Sequence, residues 1–326
     1  MSQSTAITDA VQPAGVGRFS TQHGLLRAEK RPGPEGLDIA IAGVPFDQGS
    51  YGWTGQRFGP DQARAFSHTV RQVHALTDRA PFTWCRIGDV GDAPVNPLNP
   101  EQSIRDISKF FSRIATAGAV PMGIGGDHTI TLLIMRGMAQ AGVRVPFGMV
   151  HFDAHPDIYD EIDGSRVNCA TGFRRAIEEG LIDPRRYIMI GIRVMRDIES
   201  LEWAKAQGVT VLTDDDCAAL GRHGVIDRIR KVVGEQPAFL SFDIDSLDIA
   251  YVQGTQSPEP GELSVRDVQV ILRGLRGLDF IGADVVELLP LLDPAGRTAI
   301  STVNVAYEIL CLIAEARAKR TSAGTG

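Results

Sequence analysis

The stretch PFGMVHFDAHPD (146–157) decides how this chain is read. Its first half is an apolar run of the length of a buried strand. Its second half carries Asp153, His155 and Asp157 at alternate positions. In an extended chain, side chains at i, i+2 and i+4 project to one side. Two carboxylates and an imidazole therefore converge at a strand end, while Ala154 and Pro156 face away. Alone, such a motif would read as a helix cap beside a surface histidine, but two more motifs of the same kind argue otherwise. GIGGDHTI (123–130) sets His128 just past the strand-like AVPMGI. LSFDIDSLD (240–248) sets Asp243 and Asp245 at the end of another apolar run. All three follow a predicted strand, at the edge where open α/β sheets collect their ligands.

Carboxylate oxygens mixed with imidazole suit a divalent first-row metal such as Mn, Ni, Zn or Fe. Four aspartates and two histidines are too many for one ion and suit two, and four negative charges neutralise two dications. Ions roughly 3.5–4 Å apart can share one water and lower its pKa towards neutrality.

At these residues the chain resembles the ureohydrolase superfamily, which includes arginases, agmatinases and guanidinobutyrases. GGDH (125–128), DAHPD (153–157), SFDID (241–245) and VVELLP (285–290) stand in the family's order, and the likeness runs from about residue 39 to the last helix. The resemblance implies an α/β fold, a three-layer α/β/α sandwich around a mostly parallel sheet. It also implies two divalent ions, Mn or Ni, and hydrolysis of a guanidino C–N bond that releases urea or ammonia and an amine. By the same resemblance His128, Asp153, Asp157 and Asp243 hold one ion. Asp153, His155, Asp243 and Asp245 hold the other, with Asp153 and Asp243 bridging. Asp157 is expected to relay a proton to the leaving amine, and Glu287 to grip the guanidinium of a small cationic substrate. A trimer or hexamer is implied, built from one kind of chain or from two.

Two loops depart from the family. VNCATGF (167–173) puts Cys169 where a histidine is usual, with Asn168 before it, and both are expected to face the substrate. DIAYVQGTQSPEPGE (248–262) replaces a proline with Ile249 and glycines with Gln256 and Glu262. The expected substrate is therefore unusual: guanidine, a methylated guanidine, or a biguanide such as metformin, beside the agmatine and guanidinobutyrate of relatives. An alternative is a non-catalytic, metal-retaining partner subunit of a heteromeric enzyme. A deacetylase-type zinc enzyme would need two adjacent histidines, and no His-His pair occurs in the chain.

With 43% apolar and 22% charged residues, the composition is that of a globular protein. Alternating strands and helices read as one domain over 37–318, with an extended arm at 1–36 and a polar tail at 319–326. Helices are expected at 61–76, 101–118 and 298–318. A net charge of −7 and the lack of a basic run argue against a nucleic-acid partner. No run approaches the roughly 18 apolar residues of a membrane span. The N-terminus lacks a charged-then-apolar leader pattern, and Cys85, Cys169, Cys217 and Cys311 show no paired spacing, so a cytoplasmic location is expected. Arg57 and Arg64 read as structural, His151 as a satisfied core histidine, and Asp127 as a helix cap or a residue that orients a ligand.

Overall fold

The computed structural model describes residues 24–71, 73, 80–261 and 263–323. Nine strands form one sheet: β1 (Glu29–Lys30), β2 (Ile39–Val44), β3 (Ile87–Asp92), β4 (Val120–Gly125), β5 (Phe147–Phe152), β6 (Ile182–Ile192), β7 (Thr210–Thr213), β8 (Ala238–Asp243) and β9 (Phe280–Val286). Their order is β1-β3-β2-β4-β9-β8-β5-β6-β7, and every neighbouring pair is parallel.

Successive residues of the central strands feed two different cores, which makes the molecule three layers thick. In β2, Ile39 and Ile41 join one core and Ala40, Ala42 and Val44 the other. In β5, Val150 and Phe152 face the first core and Phe147 and Met149 the second. The first core is closed by α1 (Gly59–Phe66), α7 (Asp214–Val233), α8 (Val265–Gly274) and α9 (Arg297–Ala323). The second is closed by α3 (Pro100–Thr116), α4 (Thr129–Gln140), α5 (Gly172–Glu178) and α6 (Ile198–Gln207), while α2 (Pro81–Trp84) is a single turn before β3. Each fully buried Phe or Leu contributes roughly 1.5–3 kcal/mol of burial free energy. Local signals set several helix starts. Asn99 and Asp197 cap α3 and α6, and Thr213–Asp216 and Ser264–Asp267 form reciprocal capping boxes on α7 and α8.

Four sequence expectations need correction or extension. The expected mostly parallel sheet is borne out and is parallel throughout its described pairs, because each return to it passes through a helix or a long connection. The described part of the expected extended arm, 24–36, packs on the domain. Leu25 and Leu26 are buried, Leu25 N–H donates to Asp89, Leu26 N–H donates to Ser67 Oγ, and β1 pairs with β3. Residues 1–23 lie outside the described residues. The helix expected over 61–76 ends at Phe66 and passes into a 3-10 turn at Ser67–Thr69, and residues 72 and 74–76 of its remainder are not described. The polar tail is largely helix, since α9 runs on to Ala323.

By length and composition α9 could cross a membrane, with a mean hydropathy of 1.4, but 83% of that window is buried inside the protein. Its apolar residues pack on β9, α8 and α1.

Candidate metal centre

Four neighbouring strands, β4, β9, β8 and β5, bring the sequence motifs to one carboxyl edge of the sheet. Gly126 lets the β4 turn pass beneath β2, because a Cβ there would lie 2.0 Å from the Phe46 carbonyl oxygen and 2.6 Å from that of Val44. The turn delivers His128, fully buried, at the N-terminus of α4.

His128 Nδ1 lies 3.1 Å from Asp153 Oδ2, 3.0 Å from Asp157 Oδ2 and 3.2 Å from Asp243 Oδ2. Its tautomer follows from its other nitrogen. Ser241 Oγ donates its proton to Asp284 Oδ1 at 2.7 Å, so it can only accept from His128 Nε2 at 2.9 Å. Nε2 therefore carries a hydrogen, which leaves Nδ1 to face the three carboxylate oxygens: it holds a proton in the metal-free chain and offers a lone pair once a cation displaces that proton. A buried lone pair among converging oxygens is a cation site.

A second group adjoins the first through Asp153. His155 Nδ1 lies 3.1 Å from Asp245 Oδ2 and 3.5 Å from Asp153 Oδ1. Asp153 thus turns one oxygen to each histidine, the posture of a bridging ligand. Backbone donors fix the carboxylates: His155 N–H to Asp153 Oδ1, Asp245 N–H to Asp243 Oδ1, and Ala154 N–H to Asp245 Oδ1. The ligand atoms of His128, Asp153, Asp157 and Asp243 lie within 4.8 Å of one another, as do those of Asp153, His155 and Asp245. All six expected metal ligands therefore meet, though Asp243 falls in the first group only.

Burial dominates the electrostatics and pulls in opposite directions at neighbouring groups. It raises Asp243 well above the usual carboxylate range, reinforced by Asp245 and Asp153, and raises Asp157 to about 6, reinforced by Asp153. Burial acts the same way on Asp153, but hydrogen bonds from His128, His151 and His155 outweigh it and hold this carboxyl well below that range. Burial would lower His155, but Asp245 and Asp153 raise it to about 12. The cluster attracts positive charge, which is the donor chemistry a pair of dications requires.

Glu287 stands beside the first group. It is 4% exposed, with Oε1 accepting from His128 N–H at 2.8 Å and Oε2 from Gln56 Nε2 at 2.9 Å. Burial first, then Asp127, pushes its carboxyl up to about 8. Glu287 and Asp157 both hold positive φ, 66° and 43°, a strained backbone for residues with a Cβ.

Cys169 is buried, and burial followed by Glu287, Asp127 and Asp157 pushes its thiol well above the usual range, while a hydrogen bond with Gln256 opposes them. Asn168 turns away from the expected substrate role. Its Oδ1 accepts from Ala170 N–H and its Nδ2 donates to the Ser165 carbonyl, so the amide shapes its own loop. Asp127 caps Thr129 N–H and also accepts from Gly49 N–H. Arg57 pairs with Asp47, and Arg64 with Asp89 and Asp92, away from the ligands.

The sequence reading missed Gln56 and the Ser241–Asp284 pair. Ser241 shares its strand face with Asp243 by period two, and that signal was available; Gln56 lies in irregular chain and offers none. His151 has both ring nitrogens bonded, to Tyr187 Oη at 2.9 Å and to Asp153 Oδ2 at 2.8 Å, with its ring stacked on Phe173.

Comparison with known proteins gives the same picture. Residues 37–312 match the model of the arginase family. The chain is 41% identical over 308 residues to a guanidinopropionase of Pseudomonas aeruginosa, covering 94% of this chain and 96% of that one. It is 39% identical to a guanidinobutyrase of the same organism, covering 86% and 87%. The solved structure of proclavaminate amidino hydrolase from Streptomyces clavuligerus superposes with a TM-score of 0.88 at 34% identity, covering 92% of this chain and all of that one.

Proposed function

The chain belongs to the arginase family, and from that premise we propose that it is a binuclear metal-dependent hydrolase that cleaves a C–N bond of a guanidino compound. The observation that carries this reading is the His128 Nδ1 lone pair, held by its tautomer against three carboxylate oxygens beside a second histidine–aspartate group. His128, Asp153, Asp157 and Asp243 would hold one ion and Asp153, His155 and Asp245 the other, with Asp243 completing the second. Bound there, the ions supply the Lewis acidity that makes water a nucleophile near neutral pH.

The chain's own groups supply the rest. Glu287, ionised, accepts guanidinium N–H bonds and presents the planar carbon to the ligand cluster. Asp157, whose carboxyl is raised towards neutrality, takes a proton and returns it to the departing amine. Ser241 and Asp284 hold His128 in the tautomer that ligates, and Tyr187 and His151 hold Asp153. The partner-subunit alternative is not favoured, since the chain aligns nearly end to end with relatives that are named as hydrolases of guanidino compounds.

Mn or Ni as the ion, a cytoplasmic location and a closed trimer or hexamer belong to the same proposal. The four cysteines are free, which supports a reducing compartment. The exposed Trp53, Phe58 and Leu291 offer apolar surface for a subunit contact.

The test is urea and amine release by the purified chain, loaded separately with Mn and Ni, on agmatine, guanidinobutyrate, guanidine, methylguanidines and metformin. Turnover of one compound is expected. Silence on the whole panel from a chain with two bound ions would end the hydrolase reading.

A further inference from the structure

From the cluster outwards the residues form a polar path. Glu287 Oε2 accepts from Gln56 Nε2, which also donates to Gln256 Oε1 at 3.2 Å and to the Trp53 carbonyl at 3.1 Å. Gln256 in turn bonds the Cys169 thiol. Exposure grows along this path, from the buried Glu287 and Gln56 through the half-buried Gln256 to the exposed Tyr51. A guanidinium seated on Glu287 therefore has its substituent among two amides, a thiol and a phenol.

Cations are scarce on this path. The segments that build it and its surroundings are 47–58, 154–171, 246–262 and 287–293, and their only Lys or Arg residues are Arg57 and Arg166. Both are committed elsewhere, Arg57 to Asp47 and Arg166 to Asp160 and Glu178. Arg193, from the neighbouring β6 loop, donates to the carbonyls of Gly191, Asp245, Ser246, Leu247 and Glu259. Arg196, tied by its backbone N–H to Tyr159 Oη, points an exposed side chain into solvent. Burial first, then Asp157, Cys169, Tyr159 and Glu287, all push the Tyr51 phenol upward.

We infer that the substrate's substituent carries no carboxylate: the site takes a guanidine with a neutral or cationic tail and rejects guanidino acids. The physical reason is that a tail carboxylate would lose its hydration among the two amides, the thiol and the phenol without gaining a cation in return. This inference rests on the hydrolase reading and narrows it to a substrate class different from that in the names of the guanidinopropionase and guanidinobutyrase relatives.

The matched probes are propylguanidine and 3-guanidinopropionate, which differ chiefly in the tail charge. With the full-length, metal-loaded chain, kcat/KM is expected to favour propylguanidine by on the order of 100-fold or more. Equal or faster turnover of the acid would overturn the inference. If neither compound is hydrolysed, the hydrolase reading is in question, but calorimetric binding to the same loaded protein still decides the inference. Tighter binding of propylguanidine sustains it; comparable binding of the acid, or binding of neither, overturns it. Gln256→Arg places a cation on the path and should raise the acid's relative turnover or affinity at least about tenfold. An unchanged ratio in a folded Gln256→Arg variant would show that the tail does not follow the path through Gln256, and would overturn the inference. Acid turnover abolished by Arg196→Ala would show that Arg196 is a clamp for a carboxylate, and would overturn the inference.

Discussion

The backbone N–H of His128 donates to Glu287 Oε1 at 2.8 Å, and the backbone N–H of Glu287 donates to the Gly126 carbonyl at 2.9 Å. The two bonds strap the end of β9 to the turn after β4. The turn that aims the His128 imidazole thus also places the carboxylate that would grip a guanidinium. Glu287→Gln keeps the shape and an acceptor for His128 while removing the charge. It should leave the metal content unchanged and lower kcat/KM by about 100- to 1000-fold, or roughly 3–4 kcal/mol. Loss of metal in this variant would show that the carboxylate acts by holding His128 instead.

Asp153 faces both histidines, whereas Asp245 faces His155 alone. Asp153→Ala should therefore lose both ions and Asp245→Ala only one, as read by elemental analysis after gel filtration. Retention of both ions by Asp153→Ala would contradict its bridging position.

Ser241→Ala removes the acceptor that keeps the hydrogen on His128 Nε2. Metal affinity, measured by competition with a chelator, should fall by about 10- to 100-fold while the fold persists. An unchanged affinity would mean that His128 needs no such guide.

Gly126→Ala brings a methyl group against the Phe46 carbonyl oxygen, where flexible side chains cannot yield. The cost should be on the order of 2–4 kcal/mol, read from denaturant unfolding, with a loss of metal affinity as the turn shifts. Gly118→Ala makes a useful contrast: its positive φ of 80° is strained for alanine, but no atom lies within 4 Å of the new Cβ. It should be destabilised without losing metal affinity.

The metal-free chain should lose stability as pH rises from about 6.5 to 8. Glu287 is raised to about 8, so in this window the folded state holds a proton that the unfolded chain has released. Burial would lower His128 and His155, but their aspartate partners raise both, and each keeps its proton in the folded state above the ordinary histidine value of 6.5. All three groups bind more protons folded than unfolded, so ΔG of unfolding falls with pH, by roughly 1–2 kcal/mol for a group such as Glu287. His151, lowered to about 4 by burial, acts in the opposite sense only below 6.5. Thermal melts after chelation would show the decline, and a Tm that rises across this window would refute the assignment.

The ligands were legible because strand geometry writes itself into sequence. Asp153, His155 and Asp157 alternate, and so do Asp243 and Asp245, after apolar runs that no surface loop would carry. The Gly-Gly turn before His128 was legible for a similar reason, since a close backbone approach leaves no room for side chains. What could not be read was joined by tertiary contact alone. Gln56 meets Glu287 across 231 residues, and Asp284 meets Ser241 only because β9 lies beside β8. Asn168 is expected from its place before Cys169 to face the substrate, and nothing in its neighbours announces that the amide turns back on Ser165 and Ala170. The Gly and Pro content of 1–36 suggests an extended arm, while the adjacent Leu25 and Leu26 of its described part are buried against the domain.

The strand order sets a timetable for how the protein is made. A ribosome delivers His128, then the Asp153 trio, then Asp243 and Asp245, but β9 sits between β4 and β8 and arrives after both. Until Phe280–Val286 is inserted, β4 has no neighbour to join it to β8, and a gap of roughly 10 Å, two strand spacings, separates the edges that carry His128 and Asp243. The nascent chain therefore lacks the His128 half of the cluster until β9 is in place, while Asp153, His155 and Asp245 can already meet across the paired β5 and β8. Closing the cluster around His128 is thus the last step of folding rather than its seed.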